Sequence, residues 1–445
     1  MEYNVGMVSL GCSKNQVDAE RMLSFLRQDG FNITADPADC DVIIVNTCGF
    51  IEDAKRESIE SIFEMARYKN NRLKVLAVTG CLAQRYKEEI AFEIPEADVI
   101  LGIGSIKDVA KSIKEALSGN RVVAFEDRLL LPLDGDRVLS GPPYSAYLKV
   151  ADGCDNRCSY CAIPEIRGPF RSRKIEEVVK EAEELANRGV AELSVVAQDT
   201  TRYGEDIYGR QMLPELLRRL CEIKKLHWIR LLYCYPDRID DELIDAIASL
   251  PKVAKYIDMP LQHIDDTVLL SMNRRGDAKY IEALIQKIRR RIPGVVIRTT
   301  FIAGLPGEGE AEFERLCNFV KAQAFERLGC FAYSAEDSTP AASFPNQVDE
   351  QLRKRRADII MEIQMQIAGE HSASLKGRTL EVLCEGYDRS IKKYVGRSYM
   401  DAPDIDTRVY FSSAKKLSPG EFVNVLVTGA DGYDIIGSHT KEGGI

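Results

Sequence analysis

Histidine and tryptophan are scarce in this chain, whose 445 residues include only 4 histidines and 1 tryptophan. So few imidazoles exclude a histidine-rich metal site, and no histidine lies near the tightest group of cysteines in the sequence. Zinc ribbons normally carry paired C-x-x-C knuckles, whereas this chain has a single one, Cys158 to Cys161. A metal centre in this protein is therefore expected to be held by thiolates.

Long apolar stretches and a secretion signal are also missing. No run approaches the roughly 20 uninterrupted apolar residues that a membrane span needs. The start of the chain, Met1 to Val5, lacks a basic segment. In a chain of this length without a signal peptide, the 12 cysteines do not indicate a disulphide scaffold. We expect a soluble protein of the reducing cytoplasm, with no membrane partner.

The charge balance is acidic, with a formal net charge of -9. A surface devoted to wrapping nucleic acid needs a basic excess, which this chain does not have. The acidic net charge is compatible with a basic partner, although the charge of a local surface patch can differ from that of the whole chain.

Length and pattern divide the chain into three parts. At 445 residues it is too long for one ordinary core, and two or three domains are expected. We predict an α/β protein. The first domain is a parallel-sheet α/β domain at residues 1–131, and a linker rich in Gly and Pro follows at 132–144. The second domain is a partial (β/α)6 barrel with a trailing helix at 145–376, and the third is a small all-β barrel at 377–445.

The first part alternates short apolar runs with amphipathic stretches such as Val17–Arg27 and Asp53–Arg67, which predicts βαβ units. The predicted strands are Val5–Leu10, Asp41–Thr47, Lys74–Thr79 and Asp98–Leu101. Three of these strands are followed directly by Cys12, Cys48 and Cys81. Parallel strands place all three cysteines at the carboxyl edge, where open α/β sheets bind ligands. A cysteine after a strand is often only a buried packing residue, so a second thiolate site here is a hypothesis on spacing alone.

The second part contains six strand-then-helix units, which predict a partial α/β barrel. The predicted strands are Tyr147–Val150, Leu193–Ala197, Trp228–Tyr233, Tyr256–Met259, Val295–Ile302 and Gly329–Tyr333. The loop after the first strand carries Cys154, Cys158 and Cys161 in a C-x3-C-x2-C run. Three thiolates leave one valence of a metal centre open, which favours an iron–sulphur cluster with an open iron over a zinc site that borrows a fourth ligand.

The tail begins with a long helix predicted over Asp349–Ser374, which is expected to pack across the barrel. The pattern then changes to short strands separated by Gly, Pro, Asp and Ser, as in a small all-β barrel. These strands are predicted at Leu380–Cys384, Lys393–Ser398, Arg408–Ser412, Glu421–Thr428 and Tyr433–Ser438. The last domain lacks the basic excess of a general RNA binder, so a specific or basic partner is favoured.

Other polar loops follow the barrel strands and are candidate ligand contacts. They are Gln198 to Arg202, Gln262 with His263, and Gly304 to Glu308, whose glycines let a ligand approach the backbone closely. The basic run Arg167 to Lys174 is compatible with carboxylate or phosphate binding and with a solvated helix entry. The remaining cysteines are expected to pack in the interior, and they are Cys40, Cys221, Cys234, Cys317, Cys330 and Cys384.

The run Cys154-x3-Cys158-x2-Cys161, with Tyr160 before its last cysteine, resembles the signature of the radical S-adenosylmethionine (SAM) superfamily. The resemblance implies that these three thiolates hold a four-iron, four-sulphur (4Fe-4S) cluster whose open iron binds SAM, and that electron transfer releases a 5′-deoxyadenosyl radical. Tyr160, Gln198, Gly304 and Glu308 are the SAM contacts that we expect on this basis.

Nearly the whole chain resembles the radical SAM methylthiotransferases, which add a cysteine-ligated N-terminal domain and a C-terminal TRAM domain to the radical SAM barrel. Several short sequence motifs resemble the RimO branch of this family more than the branch that modifies transfer RNA, MiaB. These motifs are Gly11-Cys-Ser-Lys-Asn15, Asn46-Thr-Cys-Gly-Phe-Ile51, Gly80-Cys-Leu-Ala-Gln-Arg-Tyr86, Cys161-Ala-Ile-Pro164, Arg230-Leu-Leu-Tyr-Cys-Tyr-Pro236, Pro260-Leu-Gln-His263 and the tail segment Gly396 to Asp406. One departure is Ser13, where the family commonly has proline; it removes no thiolate.

The resemblance implies two 4Fe-4S clusters, with the second held by Cys12, Cys48 and Cys81 as the source of the transferred sulphur. It implies transfer of a methylthio group to the β-carbon of an aspartate in ribosomal protein uS12, with SAM as methyl donor. The expected partners are uS12 or the small ribosomal subunit, an electron donor such as flavodoxin or ferredoxin, and an accessory protein. Three alternatives remain open at this point: a transfer-RNA adenosine methylthiotransferase, a radical enzyme without sulphur insertion, and a zinc-stabilised ribosome-binding module.

Overall fold

The computed structural model describes residues 3–440, and the ends of the first and third predicted domains, residues 1–2 and 441–445, lie outside that range. The first domain has the strands β1 (Asn4–Ser9), β2 (Asn32–Ile33), β3 (Val42–Thr47), β4 (Val75–Gly80), β5 (Val99–Leu101) and β6 (Val122–Ala124), and the helices α1 (Ser13–Gln28), α2 (Glu52–Ala66), α3 (Cys81–Glu93) and α4 (Val109–Leu117).

The six strands form one parallel sheet in the order β2-β1-β3-β4-β5-β6. Strands β3 and β4 are wholly buried, because α1 and α4 cover one face of the sheet and α2 and α3 cover the other. All four predicted strands are present. The short edge strands β2 and β6 were not predicted, since two or three residues carry no readable periodicity.

The second domain is a partial barrel, as predicted. Its strands are β7 (Ser145–Lys149), β8 (Ala151–Asp152), β9 (Arg171–Ser172), β10 (Glu192–Val196), β11 (Trp228–Leu231), β12 (Val253–Asp258), β13 (Val296–Ala303) and β14 (Arg327–Ala332). Its helices are α5 (Ile163–Arg167), α6 (Ile175–Asn187), α7 (Glu205–Tyr208), α8 (Leu213–Glu222), α9 (Asp241–Ser249), α10 (Asp266–Ser271), α11 (Ala278–Arg291), α12 (Glu310–Gln323) and α13 (Glu350–Ser374). Six parallel strands follow the order β14-β13-β12-β11-β10-β7, while β8 and β9 form a separate short ribbon.

The third domain is a closed barrel with the strands β15 (Thr379–Asp388), β16 (Lys393–Ser398), β17 (Val409–Ser412), β18 (Phe422–Asp431) and β19 (Asp434–His439). Their order is β15-β16-β17-β19-β18, which confirms the predicted small all-β domain. Its apolar core continues into the inner face of the second sheet, where Val196, Leu232 and Tyr256 pack against it.

The tail segment 396–406 enters the second domain at the amino ends of its strands. There Arg327 donates to Asp401 at 2.6 Å, and the hydroxyl of Tyr256 donates to Asp406 at 2.6 Å. Asp401 is 0 % exposed, so this carboxylate serves the domain interface and is not available to a basic partner. The third domain therefore lies at the end of the barrel opposite to the loops that follow the strands.

Buried ion pairs hold the linker between the first and second domains. Arg137 of the linker donates to Glu20 of α1 at 2.6 Å and to Glu181 of α6 at 2.5 Å. Glu181 also pairs with Arg173 at 2.7 Å. Burial opposes the ionisation of Glu181, but the guanidinium groups of Arg173 and Arg137 outweigh it and lower the pKa of Glu181 from 4.5 to about 2.

Glu181→Gln is expected to lower the melting temperature at neutral pH and to flatten its dependence on pH under acidic conditions. Because the pKa of Glu181 is lower in the folded state, the ionised carboxylate stabilises the fold above about pH 4.5, and this stabilisation disappears as the pH falls toward 2. A pKa shift of this size is worth roughly 3 kcal/mol. Calorimetry across this pH range measures the effect. Glu183→Gln, an exposed position of α6, is the control, and a Glu181 variant that melts like it would contradict the prediction.

Candidate functional site

The first three cysteines lie at the carboxyl edge of the first sheet. Cys12 precedes α1, Cys48 follows β3 directly, and Cys81 is the first residue of α3 after β4. Because β1, β3 and β4 are neighbours, the three loops lie side by side. Gly11 has a φ of +87°, and a Cβ there would stand 2.8 Å from the Cβ of Cys48. The loops that carry Cys12 and Cys48 are therefore in direct contact.

Positive charge surrounds this first triad. Arg167 donates from Nη2 to the Sγ of Cys81 at 3.4 Å. Although burial works against a thiolate at Cys12, the nearby charges of Lys14 and Arg167 hold the pKa of Cys12 below its ordinary value. Burial raises the pKa of Cys48 to about 12 and also raises that of Cys81. The positive charge of Lys14 and Arg167 therefore favours the thiolate form of Cys12.

The second triad lies in the loop between β8 and α5. The N–H of Cys161 donates to the carbonyl of Cys158 at 3.0 Å, which closes a tight turn, and the N–H of Cys154 donates to the carbonyl of Gly168 at 3.1 Å. Burial raises the pKa of Cys154 to about 12 and raises that of Cys161 as well. Burial therefore favours the protonated form of these two thiols, and a bound metal centre would favour their thiolates.

Each triad consists of three cysteines, so the metal-binding atoms that it offers are sulphur atoms. Among residues 3–440, no three His, Cys, Asp or Glu side chains are arranged to hold a single ion. Each triad offers three thiols, and thiolates are the usual ligands of iron–sulphur clusters. The donor chemistry of both triads fits thiolate-ligated clusters.

The two triads are neighbours across the domain interface. Cys81 packs against Ala162 and Ile166 of the segment that follows Cys161, in a small apolar cluster of their own. The loop after β11 reaches both triads. The ring of Tyr233 lies 3.3 Å from the Nζ of Lys14 near Cys12, and the hydroxyl of Tyr235 lies 3.7 Å from the Sγ of Cys158. Both triads therefore border one region.

Arg167 joins the two domains at this region. Its guanidinium donates to Asp18 of α1 at 2.5 Å and to Asp152 of β8 at 3.1 Å, in addition to Cys81. Lys149 binds the same two carboxylates. Arg173, farther along the basic run, is also buried in ion pairs. At these two positions the run binds carboxylates of the protein itself and is not a solvated helix entry.

Two of the expected SAM contacts have groups that are available to a ligand. Tyr160 lies between Cys158 and Cys161 in sequence, and its hydroxyl accepts from Arg274 at 3.3 Å. The Oε1 of Gln198 is buried without a hydrogen-bond partner among the described residues. A buried amide oxygen without a partner is costly, so it indicates a position for a donor on a ligand.

The other two expected contacts are used inside the chain. The carboxylate of Glu308 accepts from the N–H of Gly304 at 2.9 Å and from Arg356 of α13 at 2.9 Å, and it is fully buried. A Cβ at Gly304, whose φ is +80°, would stand 2.4 Å from the side chain of Arg353. The missing side chain of Gly304 thus makes room for α13. A role for these two residues in SAM binding stays a prediction.

Arg274, which was not among the predicted site residues, is a buried cation beside the second triad. It donates to Tyr160 and to the carbonyl of Pro260 at 2.6 Å, stacks 4.2 Å from the ring centre of Tyr235, and forms no ion pair with any of residues 3–440. It lies next to Arg275 in the loop between α10 and α11, and two arginines in a loop carry no specific sequence signal for a ligand site. Its lack of a carboxylate partner makes it a candidate for the carboxylate of a ligand.

The remaining cysteines lie apart from the triads in the described structure. Cys234 is 0 % exposed and packs in the core of the second domain, so it does not face the site. Cys40 and Cys384 are likewise fully buried in apolar clusters. Within the described part of the chain, no helix has both the length and the apolar character needed to cross a membrane.

Comparison with protein families matches all three domains. Residues 4–102 match the uncharacterized protein family UPF0004, residues 148–320 match the radical SAM superfamily, and residues 377–439 match the TRAM domain. A protein named ribosomal protein uS12 methylthiotransferase RimO from Thermoanaerobacter sp. is 49% identical, over 98% of this chain and 100% of the relative. Proteins of the same name are 47% identical in Acetivibrio thermocellus, over 99% of both chains, and 45% identical in Clostridium tetani, over 97% of both.

Solved structures share the fold at much lower identity. The radical SAM methyltransferase TsrM from Kitasatospora setae, with cobalamin and a 4Fe-4S cluster bound, has a TM-score of 0.57 at 15% identity and covers 86% of this chain and 81% of its own. The cobalamin-dependent radical SAM enzyme OxsB has a TM-score of 0.51 at 14% identity, over 81% of this chain and 56% of its own. At this identity the likeness concerns the fold alone.

Proposed function

We propose a function for this chain from its family, since it belongs to the RimO family of radical SAM methylthiotransferases. The proposed function is to attach a methylthio group to the β-carbon of an aspartate in ribosomal protein uS12. The observation that carries the proposal is the identity of 49% with a protein named for this activity, over 98% of this chain and the whole of that relative. The matched region extends through all three domains and spans the positions of both cysteine triads.

The proposal includes two 4Fe-4S clusters, one held by Cys154, Cys158 and Cys161 and the other by Cys12, Cys48 and Cys81. When bound, the first cluster supplies the electron that cleaves SAM and yields the 5′-deoxyadenosyl radical that removes hydrogen from the aspartate. The contact of Cys81 with Ala162 keeps the two triads adjacent, which suits successive events at one substrate carbon.

The residues around the second triad are suited to hold SAM. Arg274 is a buried guanidinium without a carboxylate partner in the described chain, and it can bind the carboxylate of the methionyl group with two parallel hydrogen bonds. Gln198 offers a buried acceptor for a donor on the same ligand. Glu308 and Gly304 also contact α13, and their contact with SAM remains part of the proposal.

The proposed reaction also defines partners and location. Reductive cleavage requires an external electron donor, for which a flavodoxin or a ferredoxin has the appropriate chemistry. An accessory protein that presents uS12 or the small ribosomal subunit is part of the proposal. A ribosomal substrate places the reaction in the cytoplasm.

The proposed function is tested by intact-mass analysis of uS12 from wild-type cells and from cells that lack this gene. We expect the methylthio mass addition to disappear in the deletion strain and to return with a plasmid copy of the gene. A Cys154→Ala copy, expressed to the same level, is expected not to restore it. Nucleosides from digested transfer RNA serve as the comparison and should keep their methylthio groups. Persistence of the mass addition on uS12 without the gene would show that the assignment is wrong.

A further inference from the structure

Lys14 is a buried ammonium without a carboxylate partner in the described chain. It is the second residue of α1, two positions after Cys12, and is 6 % exposed. Its Nζ lies 3.3 Å from the ring centre of Tyr233. Cys12 offsets its charge when it is a thiolate, but no carboxylate among residues 3–440 pairs with it. An ammonium has three N–H donors, so Lys14 can also bind a carboxylate from a ligand.

Other buried cations of the interface have such partners within the chain. Lys149 and Arg167 share the carboxylates of Asp18 and Asp152 in a compact network of four charges. That network is balanced, with two positive and two negative side chains. Lys14 differs in this respect from Lys149 and Arg167, and it shares the absence of a carboxylate partner in the described chain with Arg274 at the second triad.

The loop after β11 indicates where Lys14 lies relative to the two triads. Tyr233 contacts Lys14 on the side of Cys12, and Tyr235, two residues later, contacts Cys158 of the second triad. Tyr233 has a φ of +62°, a conformation that is unfavourable for an aromatic residue. The loop is thus held in a strained form that places one tyrosine at each triad. The ammonium of Lys14 lies near the boundary between the two.

We propose that Lys14 binds the side-chain carboxylate of the aspartate that receives the methylthio group. This inference rests on the proposed function, because that reaction requires the substrate carbon to be reached from both triads. The β-carbon of aspartate is bonded directly to its carboxylate carbon. A cation that holds the carboxylate between the triads therefore fixes the position of the reacting carbon, and it favours aspartate over the neutral asparagine.

Tyr233 supports this role as a positioning residue. A lysine side chain has four rotatable bonds, and contact of its ammonium with an aromatic face restricts them while leaving other N–H groups free to donate. An ammonium held in this way binds a carboxylate at a smaller cost in side-chain entropy.

The experiment measures binding of uS12 to the holoenzyme with SAM by fluorescence anisotropy. Two forms of uS12 are compared, one with the aspartate found modified in wild-type cells and one with asparagine at that position. The enzymes are wild type, Lys14→Met, Lys14→Arg and Lys111→Met, the last being an exposed lysine of α4 that forms no ion pair among the described residues. We expect Lys14→Met to weaken binding of the aspartate form by about 10-fold to 100-fold and to change binding of the asparagine form by less than about 2-fold.

The remaining arms separate this contact from other roles. Lys14→Arg should recover most of the affinity, and Lys111→Met should behave as wild type. Equal weakening toward both forms of uS12 would overturn the proposal, as would unchanged affinity. Loss of about half of the bound iron in Lys14→Met would assign the lysine to the charge balance of the first triad and would equally overturn it. If the wild-type enzyme neither binds nor modifies uS12, the proposed function itself has failed, and the inference falls with it.

Discussion

Replacing Cys12, Cys48 and Cys81 together by alanine is expected to abolish methylthio transfer while leaving reductive cleavage of SAM in place. The reason is that the two triads are built on different domains, the first at the edge of the parallel sheet and the second in a loop of the barrel. Iron in the reconstituted enzyme should fall from about eight to about four per chain. The measurements are iron content, 5′-deoxyadenosine formation and the mass of uS12.

Two controls define this result. The reciprocal variant, with alanine at Cys154, Cys158 and Cys161, should lose both SAM cleavage and product. A second triple variant removes three cysteines outside the triads, Cys221, Cys317 and Cys330, and should retain about eight irons and full activity. Methylthio-uS12 formed by the enzyme that lacks Cys12, Cys48 and Cys81 would refute the second cluster. In that case the first triad would have a structural role, as in a radical enzyme without sulphur insertion.

Arg167→Met is expected to destabilise the contact between the first two domains by about 3–5 kcal/mol, because it leaves a buried carboxylate pair with a single cation. The guanidinium is 1 % exposed and donates to Asp18 and Asp152 from opposite domains. Burial opposes ionisation of Asp152, but Lys149 and Arg167 lower its pKa from 3.8 to about 2. Since a depressed pKa keeps this carboxylate ionised above about pH 4, the penalty should persist through the neutral range and shrink only under strongly acidic conditions.

Thermal unfolding of the Arg167 variant measures this effect, and Lys174→Met is the matched control, since Lys174 belongs to the same basic run but is exposed. A melting temperature equal to that of the control would disprove the structural role. The same variant tests the contact with Cys81. Loss of the donor at 3.4 Å should alter the electron paramagnetic resonance spectrum of the first triad's cluster and leave that of the second unchanged. Arg167→Lys should recover part of the stability, because it restores a charge without the planar donor geometry.

Local pattern was sufficient to predict the order of the elements. Strand β16 has the predicted bounds, Lys393–Ser398, and the other predicted strands of the three domains begin and end within a few residues of the observed ones. Each of these strands is either a short apolar run or an alternating one, so its periodicity is visible in the sequence. The placement of Cys12, Cys48 and Cys81 at one sheet edge followed from parallel topology, since every such strand ends on the same side.

Residues of the ligand site were harder to predict where their partners come from distant elements. The contact of Glu308 with SAM stays a prediction, while its hydrogen bond with Arg356, 48 residues later in the chain, had no signal in the local pattern. The acidic segment with Asp401 and Asp406 looked suited to a basic partner, yet both residues face Arg327, Arg298 or Tyr256 in the barrel. The type of a side chain is known from the sequence, but the residue that neutralises its charge in the fold is not.

The amino-acid pattern alone was enough for three domains, six cysteines at the ends of strands or in one barrel loop, and the resemblance to a family, because these depend on spacing and periodicity along the chain. The approach of Cys81 to Ala162, the position of Lys14 over Tyr233 and the network around Arg167 required folding in three dimensions. The contacts Cys81–Ala162, Lys14–Tyr233, Arg167–Cys81 and Arg167–Asp18 each join residues more than 80 positions apart, on two domains that pack against each other. The packing of one domain against another depends on the shape and the buried charges of whole surfaces. It leaves no periodic pattern in the local sequence.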